Sequence, residues 1–397
     1  MGNIRLDKWT EDINQLALEL PKRHKNLFFD SNKEEFYKQI QNLKSNIENY
    51  DDYMIFVDIA AIAASAKDAH TTVIMPIARF IPFEFYWFPE GVHIVACIGE
   101  YKEALYCKVT HLNGIPMEEV VQRMEGIVSH ENEAFLNAQL PKYLQAVEVL
   151  YGLEIIDEFD HVKLTLESVG KQVLEIIAPT IGYKELKGLT IRDKDGSLDG
   201  LPLYRRNKAK NYWSYYLIES NTLYFNYKSC RDMQDITVGK FCIDLMHFIN
   251  QEDVKCLVID LRNNLGGNST LLEPFIEELS KCQKLNRLGG IFVILGRETF
   301  SSALLNAYAL KNKTKAIFLG EATGGKPNCY GEVKSFDLIN SKLQIRYSTK
   351  YYKLIKDDKQ ASFFPDVNTE VTIQDYITHI DPCMEYVLSF STLSKEI

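Results

Sequence analysis

The stretch IFVILGRETFSSALLNAYALKNKTKAIFLGEATGGK, residues 291–326, decides how the carboxyl-terminal half is read. Its first pentad, IFVIL, is short and wholly apolar, as a strand buried on both faces is. A turn carrying Thr299, Ser301 and Ser302 follows, then ALLNAYALK with helical spacing, then the apolar strand AIFL and a loop of Gly324, Gly325 and Lys326. Strand, helix and strand joined by turns this short make a crossover unit of a parallel sheet. The same texture extends upstream: a strand in NTLYFNY, a helix around Val238 to Asn250, the strand CLVID, a Gly-Gly loop and a helix through LLEPFIEEL. Downstream, the alternating segments EVKSFDL and KLQIRYS, joined across Ile339 to Ser341, read as an antiparallel hairpin.

Parallel strands connected by right-handed crossovers release their loops on one edge of the sheet, where open α/β sheets bind ligands. Three such loops carry Gly266 and Gly267, Ser301 and Ser302, and Gly324 to Lys326. A hydroxyl at a strand-to-helix turn stands clear of the backbone, and the first amides of the helix behind it lack intrahelical partners, so they can donate to a developing oxyanion. Serine and threonine are equally the favoured helix N-caps, which gives Thr299, Ser301 and Ser302 a purely structural alternative.

A serine hydroxyl needs a base to become a nucleophile. Two residues offer one. Lys326 follows two glycines that let the chain turn tightly, and His70 in AKDAHTT brings an imidazole, the side chain most often used as a general base near neutral pH. The Gly266-Gly267 loop offers a backbone amide as a second oxyanion donor, since glycine lets backbone approach a ligand closely. Asp260 and Arg262 read as a structural charge pair. The segment GEATGGKP, Gly320–Pro327, fits a phosphate-binding loop up to its last position, where Pro327 replaces the hydroxyl that holds magnesium and a strand-like pattern replaces the helix.

The amino-terminal third differs. Residues 1–70 hold three stretches with helical spacing, DKWTEDINQLALEL, KEEFYKQIQNLKSNIENY and DDYMIFVDIAAIAASAK. From 71 to 212 the runs FEFYWF, HIVACI and LYCKVTHL, with a helix-like MEEVVQRMEGIV, indicate a strand-rich module. Residues 213–397 form the α/β part.

The chain has 397 residues, 46% of them hydrophobic, enough for a large core and two or three domains. With a net charge of −9 and no Lys/Arg cluster, the surface is unsuited to a phosphate backbone, so no nucleic-acid partner is expected. The eight cysteines are scattered without C-x-x-C pairs or zinc-like histidine spacing, so they read as reduced core residues, and no metal is expected. No apolar run reaches the ~20 residues of a membrane helix, and the first residues lack a signal-peptide core. The expectation is a cytoplasmic protein without a membrane span.

Taken together, CLVIDLRNNLGG, GRETFSSALLNAYALKN and AIFLGEATGGK resemble the strand with D-L-R-x-N-x-G-G, the nucleophile turn and the G-E-x-T-x-G-K loop of the tail-specific, or C-terminal-processing, serine peptidases, with their tricorn-core and retinoid-binding-repeat relatives. PDVNTEVTIQDYITHIDPCMEYVL resembles the family's closing segment, and KDAHTTV its D-x-[HY]-[ST] motif. The resemblance implies an α/β Clp protease/crotonase-like parallel-sheet catalytic core with an amino-terminal helical segment and a strand-rich, loosely PDZ-like insert. It implies a serine endopeptidase acting on peptide or protein substrates without a cofactor. Ser301 would be the nucleophile, His70 or Lys326 the base, and Ser302 with the Gly266-Gly267 loop the oxyanion hole. The chain departs from the processing enzymes at Leu304, Pro327 and Tyr330, where they carry glutamate, glycine and glutamine. These departures favour a serine-histidine pair. The alternative is a non-catalytic binder of apolar ligands or peptides on the same fold.

Overall fold

The computed structural model describes residues 4–187 and 200–393. They divide into two compact units, one within Met1–Ser197 together with Cys329–Tyr352, the other within Leu198–Asn328 and Lys353–Ile397. Part of the strand-rich module, residues 188–199, lies outside the described residues.

The first unit opens with the three expected helices, Ile4–Arg23, Lys33–Asn46 and Asp52–Ala64. The second and third begin where a short polar side chain can hold the first free amides: Asn32 accepts from Glu34 and Glu35 N–H, and Asp51 from Tyr53 and Met54 N–H. Next comes an antiparallel sheet in the spatial order Phe83–Phe88, Gly91–Cys97, Lys108–Leu112, His161–Glu167, Val173–Pro179. The hairpin foreseen around Ile339 exists as Asn328–Asp337 and Gln344–Lys353, and its second strand pairs antiparallel with Thr72–Ile74. Its turn is pinned by a buried carboxylate from the first helix: Asp12 accepts from the N–H groups of Asn340 and Ser341, each at 2.8 Å. A carboxylate out of water needs such partners, which explains an acidic residue on an apolar helix face.

The second unit is built on a six-stranded sheet in the order Tyr212–Leu217, Thr222–Tyr227, Cys256–Asp260, Ile291–Leu295, Ile317–Gly320, Val367–Asn368. All neighbours run parallel except the first pair. The strands read as continuous apolar runs because both faces are covered. Leu223, Phe225, Leu257, Ile259, Ile291 and Val293 pack with the helices Val238–Gln251, Glu273–Lys281 and Ser302–Lys313. The alternate residues Tyr224, Val258, Phe292 and Ile294 pack with Met384 and Val387 of the last helix, Pro382–Leu393. Each such side chain contributes about 1.5–3 kcal/mol by leaving water, so a polar substitution on either face would be resisted. At the end of the fifth strand, Gly320 has φ +107°, and a Cβ there would lie 2.1 Å from Leu295 O. Only glycine lets these strand ends close up. After the loop of residues 321–327 the chain continues as the strand Asn328–Asp337 and not as a helix, as the failed phosphate-loop pattern required.

Among the described residues no helix is long and apolar enough to cross a membrane, and no group of three or more His, Cys, Asp or Glu side chains is set to hold a metal ion. All eight cysteines are free thiols. Burial pushes Cys230 up to about 11 and Cys242, Cys256 and Cys383 up to about 12, which keeps them as inert thiols near neutrality.

Candidate active site

In the second unit, the strand Ile291–Leu295 delivers the chain into the turn Gly296–Ser301, and a twelve-residue helix starts at Ser302. Thr299 organises this turn from inside. Fully buried, it accepts the Gly296 N–H at 3.0 Å and donates its hydroxyl to Leu261 O at 2.8 Å, while its carbonyl accepts the Gly325 N–H at 3.1 Å. One side chain and its peptide thus bind three loops from three strands. Phe300 N–H adds a bond to Asn264 O.

Ser301 occupies the N-cap position, yet its hydroxyl makes no capping bond and its backbone stands at φ +53°, ψ −124°. N-cap residues ordinarily adopt extended angles. A non-glycine residue in this region costs about 1–3 kcal/mol, and such strain persists where surrounding structure over-determines it. Ser302 does not cap either: its hydroxyl donates to Gly267 O at 2.7 Å. The capping alternative therefore fails for both serines. Half-buried Ser301 thus stands at the amino-terminal end of the helix, where the helix dipole favours negative charge.

The glycine loop lies directly against this turn. A Cβ on Gly266, whose φ is +100°, would fall 2.9 Å from Ser301 Cβ and 2.9 Å from Ser302 N. Asn264 shapes the loop, its Oδ1 accepting the Gly266 N–H at 2.9 Å and its Nδ2 donating to Tyr227 O at 2.7 Å. The Gly266 amide is thereby spoken for, which separates the roles of two adjacent glycines that sequence treated as equivalent. Gly325 closes over Leu304, since a Cβ there would come 2.8 Å from Leu304 Cδ2. The leucine that departs from the processing-enzyme pattern is the floor on which the Gly-Gly-Lys loop rests. Lys326 itself is half-buried.

Charge pairs brace these loops. Arg297 meets Glu321 at 2.7 Å. Arg262 contacts Asp260 at 2.8 Å and grips Asp381 through both terminal nitrogens at 3.0 and 2.8 Å, with its guanidinium 4.3 Å from the centre of the Tyr204 ring. Burial would weaken this cation, but the two carboxylates hold its pKa well above the ordinary arginine value. The pair is structural, as its sequence suggested, with Asp381 as a third member that spacing did not reveal.

His70 belongs to the first unit, whereas the residues just described belong to the second. Its ring, 10% exposed, has Nδ1 at 3.7 Å from Asp68 Oδ1. Asp68 also accepts the His70 backbone N–H at 3.0 Å and the Thr71 hydroxyl at 2.6 Å, closing a tight turn over D-A-H-T. Burial alone would raise the Asp68 pKa, but the hydrogen bond with His24 and the neighbouring His70 ring reverse this and hold the carboxyl far below the usual range. An ionised acid beside a histidine fixes the ring's orientation and tautomer. The acidic neighbour of His70 thus stands only two residues before it in the chain.

Fold and site define an α/β protein of a kind found among structures named as peptidases. No family model matches the sequence, and no curated protein does. Among solved structures, mature CPAF in complex with lactacystin is similar over 99% of this chain and 99% of its own at 12% identity, with a TM-score of 0.70. A structure from Parabacteroides merdae, named as a candidate peptidase, is similar over 96% of each chain at 14% identity and a TM-score of 0.51. The photosystem II D1 C-terminal processing protease is also a neighbour, at 12% identity over 98% of this chain and 97% of that one, with a TM-score of 0.42. At these identities the likeness is one of fold, carried by the CPAF and Parabacteroides merdae structures, and at that level the peptidase resemblance is borne out.

Proposed function

We propose that this chain is a serine endopeptidase whose six-stranded unit is a Clp protease/crotonase-like catalytic core, with residues 71–212 as an inserted module. The observation that carries the reading is the strained Ser301 backbone at the start of a helix, with the Gly266 loop pressed against it. The names of the neighbours and the three loop motifs support it.

On this reading the Ser301 hydroxyl attacks the carbonyl of a peptide or protein substrate while a base takes its proton. His70, oriented by Asp68, is the base we favour. The oxyanion of the tetrahedral intermediate is held by the Ser302 N–H and, because Gly266 N–H is given to Asn264, by the Gly267 N–H. The protonated base then delivers its proton to the leaving amine, giving an acyl-enzyme that water hydrolyses by the same steps. No metal or organic cofactor enters this sequence of steps.

A fluorophosphonate probe tests it. Stoichiometric labelling of wild type, abolished in Ser301→Ala and strongly slowed in His70→Ala but not in Lys326→Ala, is expected. Full labelling of Ser301→Ala removes the nucleophile. Well-folded wild type that never labels points instead to a ligand binder on the same fold, and labelling lost only in Lys326→Ala moves the base to the lysine.

A further inference from the structure

His24 ends the turn after the first helix and is buried, with its side chain 1% exposed. Its Nδ1 accepts the Asn26 N–H at 3.0 Å, and its Nε2 lies 3.0 Å from Asp68 Oδ2. The first bond settles the second. A nitrogen that accepts an amide hydrogen has its lone pair engaged, so the ring proton sits on Nε2 and is donated to Asp68. Tyr330 walls the ring, with centroids 5.2 Å apart.

The two oxygens of Asp68 are consequently divided. Oδ2 takes the His24 Nε2–H and the Thr71 hydroxyl, while Oδ1 takes the His70 backbone N–H and faces the His70 ring Nδ1 at 3.7 Å. A carboxylate held at one oxygen by two donors cannot rotate about its terminal bond to present the other differently. We propose that His24 is a positioning residue for the reaction: by anchoring Oδ2 it aims Oδ1 at His70 Nδ1, and so keeps the His70 proton on Nδ1 and the lone pair on Nε2. This rests on His70 being the general base. The arrangement links the amino-terminal helix to the catalytic histidine through a contact 44 residues long in sequence.

The test uses the full chain with ¹⁵N-labelled histidine and the variants His24→Gln, His24→Asn and His24→Leu. The glutamine amide nitrogen replaces Nε2 and reaches Asp68, whereas the shorter asparagine and the apolar leucine do not. Two readouts are taken: the rate of fluorophosphonate labelling, and the ¹⁵N shifts that report the His70 tautomer. Orienting the base accounts for part of the ~10²–10⁴-fold that general-base catalysis supplies, so a loss of about tenfold or more is expected in His24→Asn and His24→Leu, with His24→Gln near wild type. The His70 shifts should move toward a tautomer mixture in the first two only. Unchanged His70 shifts in His24→Asn overturn the proposal, whatever happens to thermal stability, and so does a His24→Gln variant as impaired as His24→Asn. Should wild type fail to label, the peptidase reading falls, while the His70 shifts still decide whether His24 sets the tautomer. Should His24→Leu fail to fold, the asparagine and glutamine pair, both polar, carries the comparison.

Discussion

At the scale of the residue, Ser301 pairs a strained backbone with a hydroxyl that makes no capping bond. Strain of about 1–3 kcal/mol is released when the residue becomes glycine, against an entropic cost of about 0.5–1 kcal/mol for glycine in the unfolded chain. Ser301→Gly is therefore expected to be more stable than Ser301→Ala by on the order of 1 kcal/mol in urea unfolding, with both variants inactive. Equal stability of the two would mean that the turn imposes no strain. The serine was legible from its setting between an apolar strand and a helical pattern. Asp68 was not, though it lies in the same quoted stretch as His70. A carboxylate two residues from a histidine has no fixed relation to it, and the relation here is made by Thr71 and by His24 from a distant helix.

At the scale of the element, the strand IFVIL ends where its apolar run ends, because covering both faces leaves no room for an unpaired polar residue until the edge is reached, whereas CLVID closes on the buried Asp260, which Arg262 pairs. The short strand Val367–Asn368 was not legible, since two residues carry no periodicity; its place comes from pairing with Ile317–Gly320. Likewise, nothing in the spacing of Asp260, Arg262 and Asp381 announces their network. It ties the loop after the Cys256–Asp260 strand to the start of the last helix, and breaking a buried ion pair from one side costs about 3–5 kcal/mol. Asp381→Ala should lose that much in chemical denaturation and slow fluorophosphonate labelling as the loop loosens. Asp381→Asn, which keeps an oxygen for the guanidinium, should lose less; if the alanine variant matches wild type, the network does not brace the loop.

At the scale of the whole molecule, the two units share one chain in alternation, since the hairpin within Cys329–Tyr352 belongs with the amino-terminal unit. Residues 1–197 expressed alone lack the partner strand of Thr72–Ile74 and leave the buried Asp12 without the turn it holds. An uncompensated buried carboxylate is costly. That fragment is expected to show no cooperative thermal transition, whereas the same residues joined through a flexible linker to 329–352 should recover one. A sharp melt from 1–197 by itself would show the hairpin to be dispensable. The same interleaving sets a timetable on the ribosome. With synthesis at about 5–20 residues per second, the nascent amino-terminal helices wait on the order of ten seconds for the segment that completes their unit, and during that interval the chaperones of the cell, rather than the chain's own contacts, must shield them.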